Sequence, residues 1–180
     1  SEADCFIENA GFATVGDVMD LQGENRILVK LGLEMLNRTT NIGMKALILQ
    51  NKLTMGAIKS HDIGFRIGPC LNASGRLDTA RLSLKLLLCE SETEAAVLAE
   101  EIVELNESRK LLTMHAVEQA KEIAQQEEYV NDRVLVIFLP DCHESLAGIV
   151  AGRIREAYYR PTLVVTRSEH GAKGLSLIHI

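Results

Sequence analysis

Three stretches of this sequence gather residue types that handle phosphate or metal ions. The first is ATVGDVMDL, where Asp17 follows a short apolar run and Gly16. A carboxylate held there suits a hard divalent cation, which takes oxygen ligands. An Asp in that place is also an ordinary helix cap or turn former. The second is GFRIGPCLNASGRL, with Gly64, Gly68, Gly75, Pro69, Asn72, Arg66 and Arg76. Glycines let backbone amides come close to a phosphate, and an Arg fork binds it in bidentate fashion. The same composition fits a structural loop with a surface Arg. The third is HESLAGIVAGR, from His143 to Arg153. His143 precedes a helical pattern whose first amides have no intrahelical partner and so favour an anion. A loop His without a role is the competing reading, and its place at a strand-to-helix switch favours the anion.

The elements that must position these residues follow from periodicity. Residues 13–19 read as a short strand, and residues 25–37, 43–51 and 82–89 as helices. Residues 64–75 read as irregular, because glycine and proline punctuate them. Residues 92–127 read as one long helix, capped by Ser91 with Glu94 completing a capping box. Its apolar stripe is Leu98, Ile102, Leu105, Leu112, Ala116 and Ile123, interrupted by Arg109 and Gln119. Such a helix spans roughly 50 Å and suits a strut between domains. The alternative is an antiparallel pair broken near residues 106–108. Residues 134–139 form an apolar run expected as a strand buried on both faces. A loop over 141–145, a helix over 146–158 and a strand over 163–166 then complete a βαβ unit with a right-handed crossover.

Bulk properties bound the reading. The chain has 180 residues, 47% of them apolar, enough for one domain or parts of two. No run of apolar residues is long enough to cross a membrane, and the acidic start has neither the basic nor the apolar region of a secretory signal. Cys5, Cys70, Cys89 and Cys142 form no CxxC pair, which argues against structural zinc and for reduced thiols in the cytoplasm. A net charge of −6 argues against a nucleic-acid partner until it is mapped. Residues 91–128 carry a net −7, and the rest of the chain carries +1. Arg66, Arg76, Arg81, Arg153 and Arg155 all lie outside the acidic segment, so a local phosphate-binding surface stays open.

Taken together, the three stretches resemble, in order and separation, the RecJ family of single-strand-specific exonucleases in the DHH phosphoesterase superfamily. The resemblance covers about residues 10–173. TVGDVMDLQGENR is similar to the family's last catalytic-domain motif, whose Asp is a metal ligand, and this implies that role for Asp17. GFRIGPCLNASGRL resembles the signature GFR-x-x-P-x-x-N-A-x-G-R-L that shapes the substrate phosphate site, and implies that role for Asn72 and Arg76. HESLAGIVAGRIREAYYRPTLVV resembles the start of the DHH-associated domain, and implies nucleic-acid contacts by His143 and Arg153.

The fold implied is α/β, with the end of a DHH catalytic domain over 1–90, a connecting helix over 91–128 and the start of a DHH-associated domain over 129–180. The activity implied is metal-dependent 5′-to-3′ hydrolysis of single-stranded DNA in cytoplasmic repair and recombination. Two Mn²⁺ or Mg²⁺ ions would serve as cofactors. Single-stranded DNA is the implied partner, with a single-strand-binding protein as a second. The family's aspartate-rich and Asp-His-His motifs are absent, so this chain alone is expected to be inactive. The closing LSLIHI at 175–180 departs from the family's Ser-Gly-Arg-Ser stretch and is expected to mark a truncation or an assembly artefact. A phosphodiesterase acting on cyclic dinucleotides or short oligoribonucleotides, and a non-catalytic nucleic-acid-binding module, are the alternatives. The long helix and the complete second stretch favour RecJ.

Overall fold

Glycine-to-glycine contact sets the first structural feature. The computed structural model describes residues 6–77, 80–168 and 171–178. Helices α1 (Ile7–Gly16) and α2 (Gly23–Leu36) approach so closely that a Cβ on Gly11 would lie 2.9 Å from Gly32 Cα. Residues 13–16 are therefore the last turn of a helix, where a strand was expected. The β-branched Thr14 fits the helix by donating its hydroxyl to the Ala10 carbonyl at 2.7 Å, and Val15 packs against the core. The short apolar run was ambiguous, and tertiary packing on α2 decides it.

Cα packing divides the chain into two compact units, Ser1–Glu107 and Ser108–Ile180. In the first, α3 (Ile42–Gln50), α5 (Gly68–Leu77) and α6 (Ala80–Leu87) enclose a core that includes Leu36, Leu47, Ile48, Ile67 and Leu86. Asn41 ties two of these helices together. Its Oδ1 accepts from the Met44 N–H at 2.8 Å, capping α3, and its Nδ2 donates to the Leu87 carbonyl at 2.7 Å, at the end of α6.

The second correction concerns residues 64–75, expected as irregular. They are helical throughout. A short α4 (Ser60–Asp62) passes into a π-helical turn (Ile63–Ile67) and then into α5. The Gly68 N–H reaches back five residues to the Ile63 carbonyl. A proline in a regular helix lacks a donor and presses on the carbonyl four residues back, and a widened turn relieves that pressure. Pro69 stands two residues after the last residue of the π turn. Gly68 serves packing: a Cβ there would lie 2.7 Å from the Ile63 oxygen.

The long helix α7 (Glu92–Ala124) is continuous, so the broken antiparallel pair is not found. The boundary between the units falls within it. The Glu94 N–H meets Ser91 Oγ at 3.4 Å, and the Glu94 carboxylate pairs with Lys85 Nζ at 2.9 Å. That pair draws the Glu94 carboxyl below its ordinary range and raises the Lys85 ammonium. The buried stripe runs through Ala95, Ile102, Asn106, Thr113, Ala116 and Ala120, while the expected Leu112 is exposed. Asn106 is buried as a polar residue in this stripe, its Nδ2 donating to Cys70 Sγ at 3.4 Å.

In the second unit a short α8 (Glu127–Val130) precedes β1 (Leu135–Phe138), α9 (Ala147–Tyr158), β2 (Thr162–Ser168) and β3 (Gly171–Leu177). β1 and β2 are parallel, pairing Leu135 with Thr162 and Phe138 with Val165, as the βαβ pattern requires. β3 adds an antiparallel strand on the other side of β2, with Val164 opposite Leu175. The second half of α7 and the inner face of α9 cover one side of the sheet. Leu175 and Leu177 lie over Gly148 and Gly152 of α9. β1 is therefore buried on one face only: Leu135 and Ile137 are buried, whereas Val136 and Phe138 are about half exposed. No helix among the described residues is long and apolar enough to cross a membrane. Cys70, Cys89 and Cys142 are free thiols, and Cys5 and residues 179–180 lie outside the described residues.

Candidate functional site

Asp17 sits where α1 ends. Its N–H still donates to the Ala13 carbonyl at 2.9 Å. Val18 then turns into the left-handed region at φ 55°, and the Met19 N–H returns to the Thr14 carbonyl at 3.1 Å. This tight reversal leaves Asp17 exposed. It also rests on the π turn: a Cβ on Gly68 would lie 4.0 Å from Gly16 Cα, and one on Gly64 3.8 Å from Val15 Cγ1. The first and second stretches are thus neighbours within one unit. Beside Asp17, Val18, Met19 and Leu21 share an open recess with Phe65 and His61, whose rings stack at 4.6 Å.

Asn72 and Arg76 are both exposed on α5, four residues apart, so they share one face of the helix. Arg66 points elsewhere: it donates to the Asn51 carbonyl beyond α3 and lies 4.0 Å from Asp62. Among the described residues no three His, Cys, Asp or Glu gather to hold a metal ion. The single carboxylate of Asp17 does not fit a two-ion site by itself, since hard cations need several oxygen ligands to replace their water.

The third stretch lies in the second unit, at the carboxyl ends of the parallel strands, where open α/β sheets take ligands. Pro140, Asp141, Cys142, His143 and Glu144 after β1, with Arg167 and Ser168 at the end of β2, line an open cleft of about 800 Å³. The loop is fastened on both sides. Buried Thr166 donates its hydroxyl to the Cys142 carbonyl, and Lys173 on β3 pairs with Glu144 at 3.0 Å. His143 is exposed, and its Nδ1 lies 2.7 Å from Ser145 Oγ while accepting from the Ser145 N–H at 3.3 Å. With Nδ1 accepting, a neutral ring carries its proton on Nε2, which becomes the donor available to a ligand. Burial pushes the Cys142 thiol up, which keeps it protonated and poorly nucleophilic.

Arg153 is exposed on α9 and is not part of the cleft lining. Arg167 is, and sequence reasoning passed over it. The usable signal was its place at the carboxyl end of the second parallel strand. Asp17, Asn72 and Arg76 belong to one unit, and His143 and Arg153 to the other.

The sequence is 32% identical over 173 residues to the single-stranded-DNA-specific exonuclease RecJ of Bacillus subtilis, covering 96% of this chain and 22% of that protein. It is 32% identical over 169 residues to Escherichia coli RecJ, covering 92% of this chain and 29% of that protein. Among solved structures, Mg²⁺-bound RecJ of Thermus thermophilus superposes with a TM-score of 0.81 at 33% identity, over 95% of this chain and 27% of that one. The chain is RecJ-like. A manganese-bound RecJ gives the same TM-score of 0.81 at 32% identity, over 97% of this chain and 43% of that one. No family model matches. The RecJ-like chain spans less than a third of the curated relatives it matches. Its α/β fold agrees with that of the RecJ structures, part of which it covers.

Proposed function

We propose that this chain is a segment of a metal-dependent exonuclease that digests single-stranded DNA from the 5′ end in repair and recombination. One observation carries the reading: near-complete coverage of the chain by RecJ proteins, in sequence and in fold together. In this reading Ser1–Glu107 contains the end of the DHH catalytic domain, and Ser108–Ile180 the start of the DHH-associated domain. Asp17 supplies one carboxylate to a metal site whose remaining ligands belong to residues outside this chain. When bound, Mn²⁺ or Mg²⁺ would supply Lewis-acid chemistry. The neighbouring RecJ structures contain these ions.

The work of the described residues is binding and orientation. Asn72 and Arg76 present amide and guanidinium donors from one helix face to the phosphates nearest the cut. His143 offers Nε2–H to a phosphate farther along the strand, its ring held by Ser145. Most phosphate contacts set register without reading sequence, which suits an enzyme that must digest any strand.

The test is a nuclease assay on 5′-labelled single strands with Mn²⁺, comparing this chain with a longer protein that contains it. The longer protein releases nucleotides and this chain does not. Vigorous release by this chain alone would overturn the placement of the ligands. Hydrolysis of cyclic dinucleotides in preference to DNA by the longer protein would move the function to another branch of the superfamily.

A further inference from the structure

We infer that Arg167, with His143, forms a two-point grip on a backbone phosphate in the cleft at the carboxyl ends of β1 and β2, and that Asp141 opposes it. The inference deepens the nucleic-acid reading and rests on it. Arg167 closes β2 and His143 follows β1, and because these strands are parallel and adjacent, both residues come to the same end of the sheet. Among the described residues no hydrogen bond or ion pair engages the Arg167 guanidinium, and the side chain is exposed. A free Arg fork beside an oriented imidazole N–H gives two kinds of donor to one anion. His143 is fixed for this task, because the Ser145 N–H and hydroxyl both address Nδ1.

Charge in the cleft decides how strongly it binds. Glu144 is paired with Lys173 at 3.0 Å, so these two charges largely cancel. Among the described residues of the lining, that leaves Arg167 facing Asp141. The cleft is therefore a modest phosphate site with one opposing carboxylate, and this predicts changes of opposite sign. Removing Arg167 weakens binding, whereas neutralising Asp141 strengthens it. Arg133, exposed just before β1 at the end of that strand away from the cleft, serves as the reference for a basic residue of the same unit.

The experiment measures binding of the 180-residue chain to a 12-nucleotide oligo-dT, by fluorescence anisotropy, across 25–200 mM salt. Arg167→Ala is expected to lower affinity about fivefold at the lowest salt. It should also reduce the slope of log Kd against log salt by about 0.7, the value for one phosphate contact on a single strand. Asp141→Asn is expected to raise affinity two- to fivefold, and Arg133→Ala to change it less than twofold. Thermal unfolding of each variant confirms that the fold is intact. If wild-type chain binds while Arg167→Ala and Asp141→Asn match it, the grip is wrong and the nucleic-acid reading survives. If Arg133→Ala loses as much as Arg167→Ala, the attraction is diffuse and the cleft is again wrong. If wild-type chain fails to bind even at 25 mM salt, both readings fall.

Discussion

Replacing Gly43 with alanine tests how firmly the helices around the second stretch are set. An ideal Cβ on Gly43 lies 1.8 Å from the Leu86 carbonyl oxygen and 2.6 Å from its carbon. To reach 3.0 Å, the shortest separation that real Cβ atoms tolerate, α6 would have to withdraw by about 1.2 Å. Two bonds resist this. Asn41 Nδ2 holds the Leu87 carbonyl at 2.7 Å, and Ser83 Oγ donates to the Leu71 carbonyl of α5 at 3.0 Å. Alanine recovers about 1 kcal/mol of helix propensity over glycine. Forcing a methyl into packed backbone costs about 3 kcal/mol. The net loss is about 2 kcal/mol, or roughly 4–8 °C in Tm for a chain of this size. Gly16→Ala is the control, because nothing lies within 4 Å of its Cβ, and it should stay within about 0.5 kcal/mol of wild type. Urea unfolding followed by circular dichroism, with a thermal scan, measures both. A Gly43→Ala midpoint equal to that of Gly16→Ala would refute the argument that α3 and α6 are pinned together.

Three further outcomes are expected. In a longer protein containing this segment, Asp17→Asn lowers nuclease activity by about two orders of magnitude with Tm unchanged, since the backbone alone forms the turn; near-normal turnover at saturating Mn²⁺ would make Asp17 a turn residue only. Ser145→Ala frees the His143 ring, lowers oligo-dT affinity about twofold in the same anisotropy assay, and broadens the His143 imidazole resonances; unchanged spectra would show that Ser145 does not hold the ring. Lys85→Met removes the partner that depresses Glu94, and the sign follows from the two shifts. The pair stabilises the fold above the unfolded Glu94 value near 4.5 and loses this as pH falls through the lower folded value, while on the alkaline side the loss comes as pH rises through the raised Lys85 value. Wild type and Lys85→Met should therefore differ slightly in Tm at pH 7 and converge as pH falls below the lowered folded Glu94 value and in high salt; a difference that persists with the carboxyl fully protonated would assign the effect to packing.

Much of the architecture was legible because strong periodicity survives tertiary context. The long helix followed from recurrent apolar positions between a serine cap and a helix-poor end, and the βαβ unit from an apolar run stopped by Pro140 and a helix stopped before Pro161. What failed had physical causes outside any local window. Residues 13–16 became helical because Gly11 meets Gly32, a contact between residues 21 apart. Residues 64–75 carry glycine and proline, which ordinarily interrupt helices, but here a π turn absorbs Pro69 and Gly68 admits neighbouring backbone. The one-sided burial of β1 depended on which face α7 and α9 cover, and a run of six apolar residues does not encode that. Of the site, the three stretches were visible from residue types alone. Arg167 was not, because its meaning depends on strand pairing that brings position 167 beside position 143.

The π turn has a consequence for helical phase. Such a turn is an α-helix holding one extra residue, and each residue in an α-helix advances the azimuth by about 100° and the axis by about 1.5 Å. The widened turn at Ile63–Ile67 therefore works as an angular shim between the part of the helix that rests on the Asp17 reversal and the part that carries Asn72 and Arg76. Deleting one residue there would give a more regular helix and leave the order of the remaining side chains unchanged. It would also swing the amide and the guanidinium by more than a quarter turn away from their present bearing. The length of this stretch, counted in single residues, sets where α5 aims.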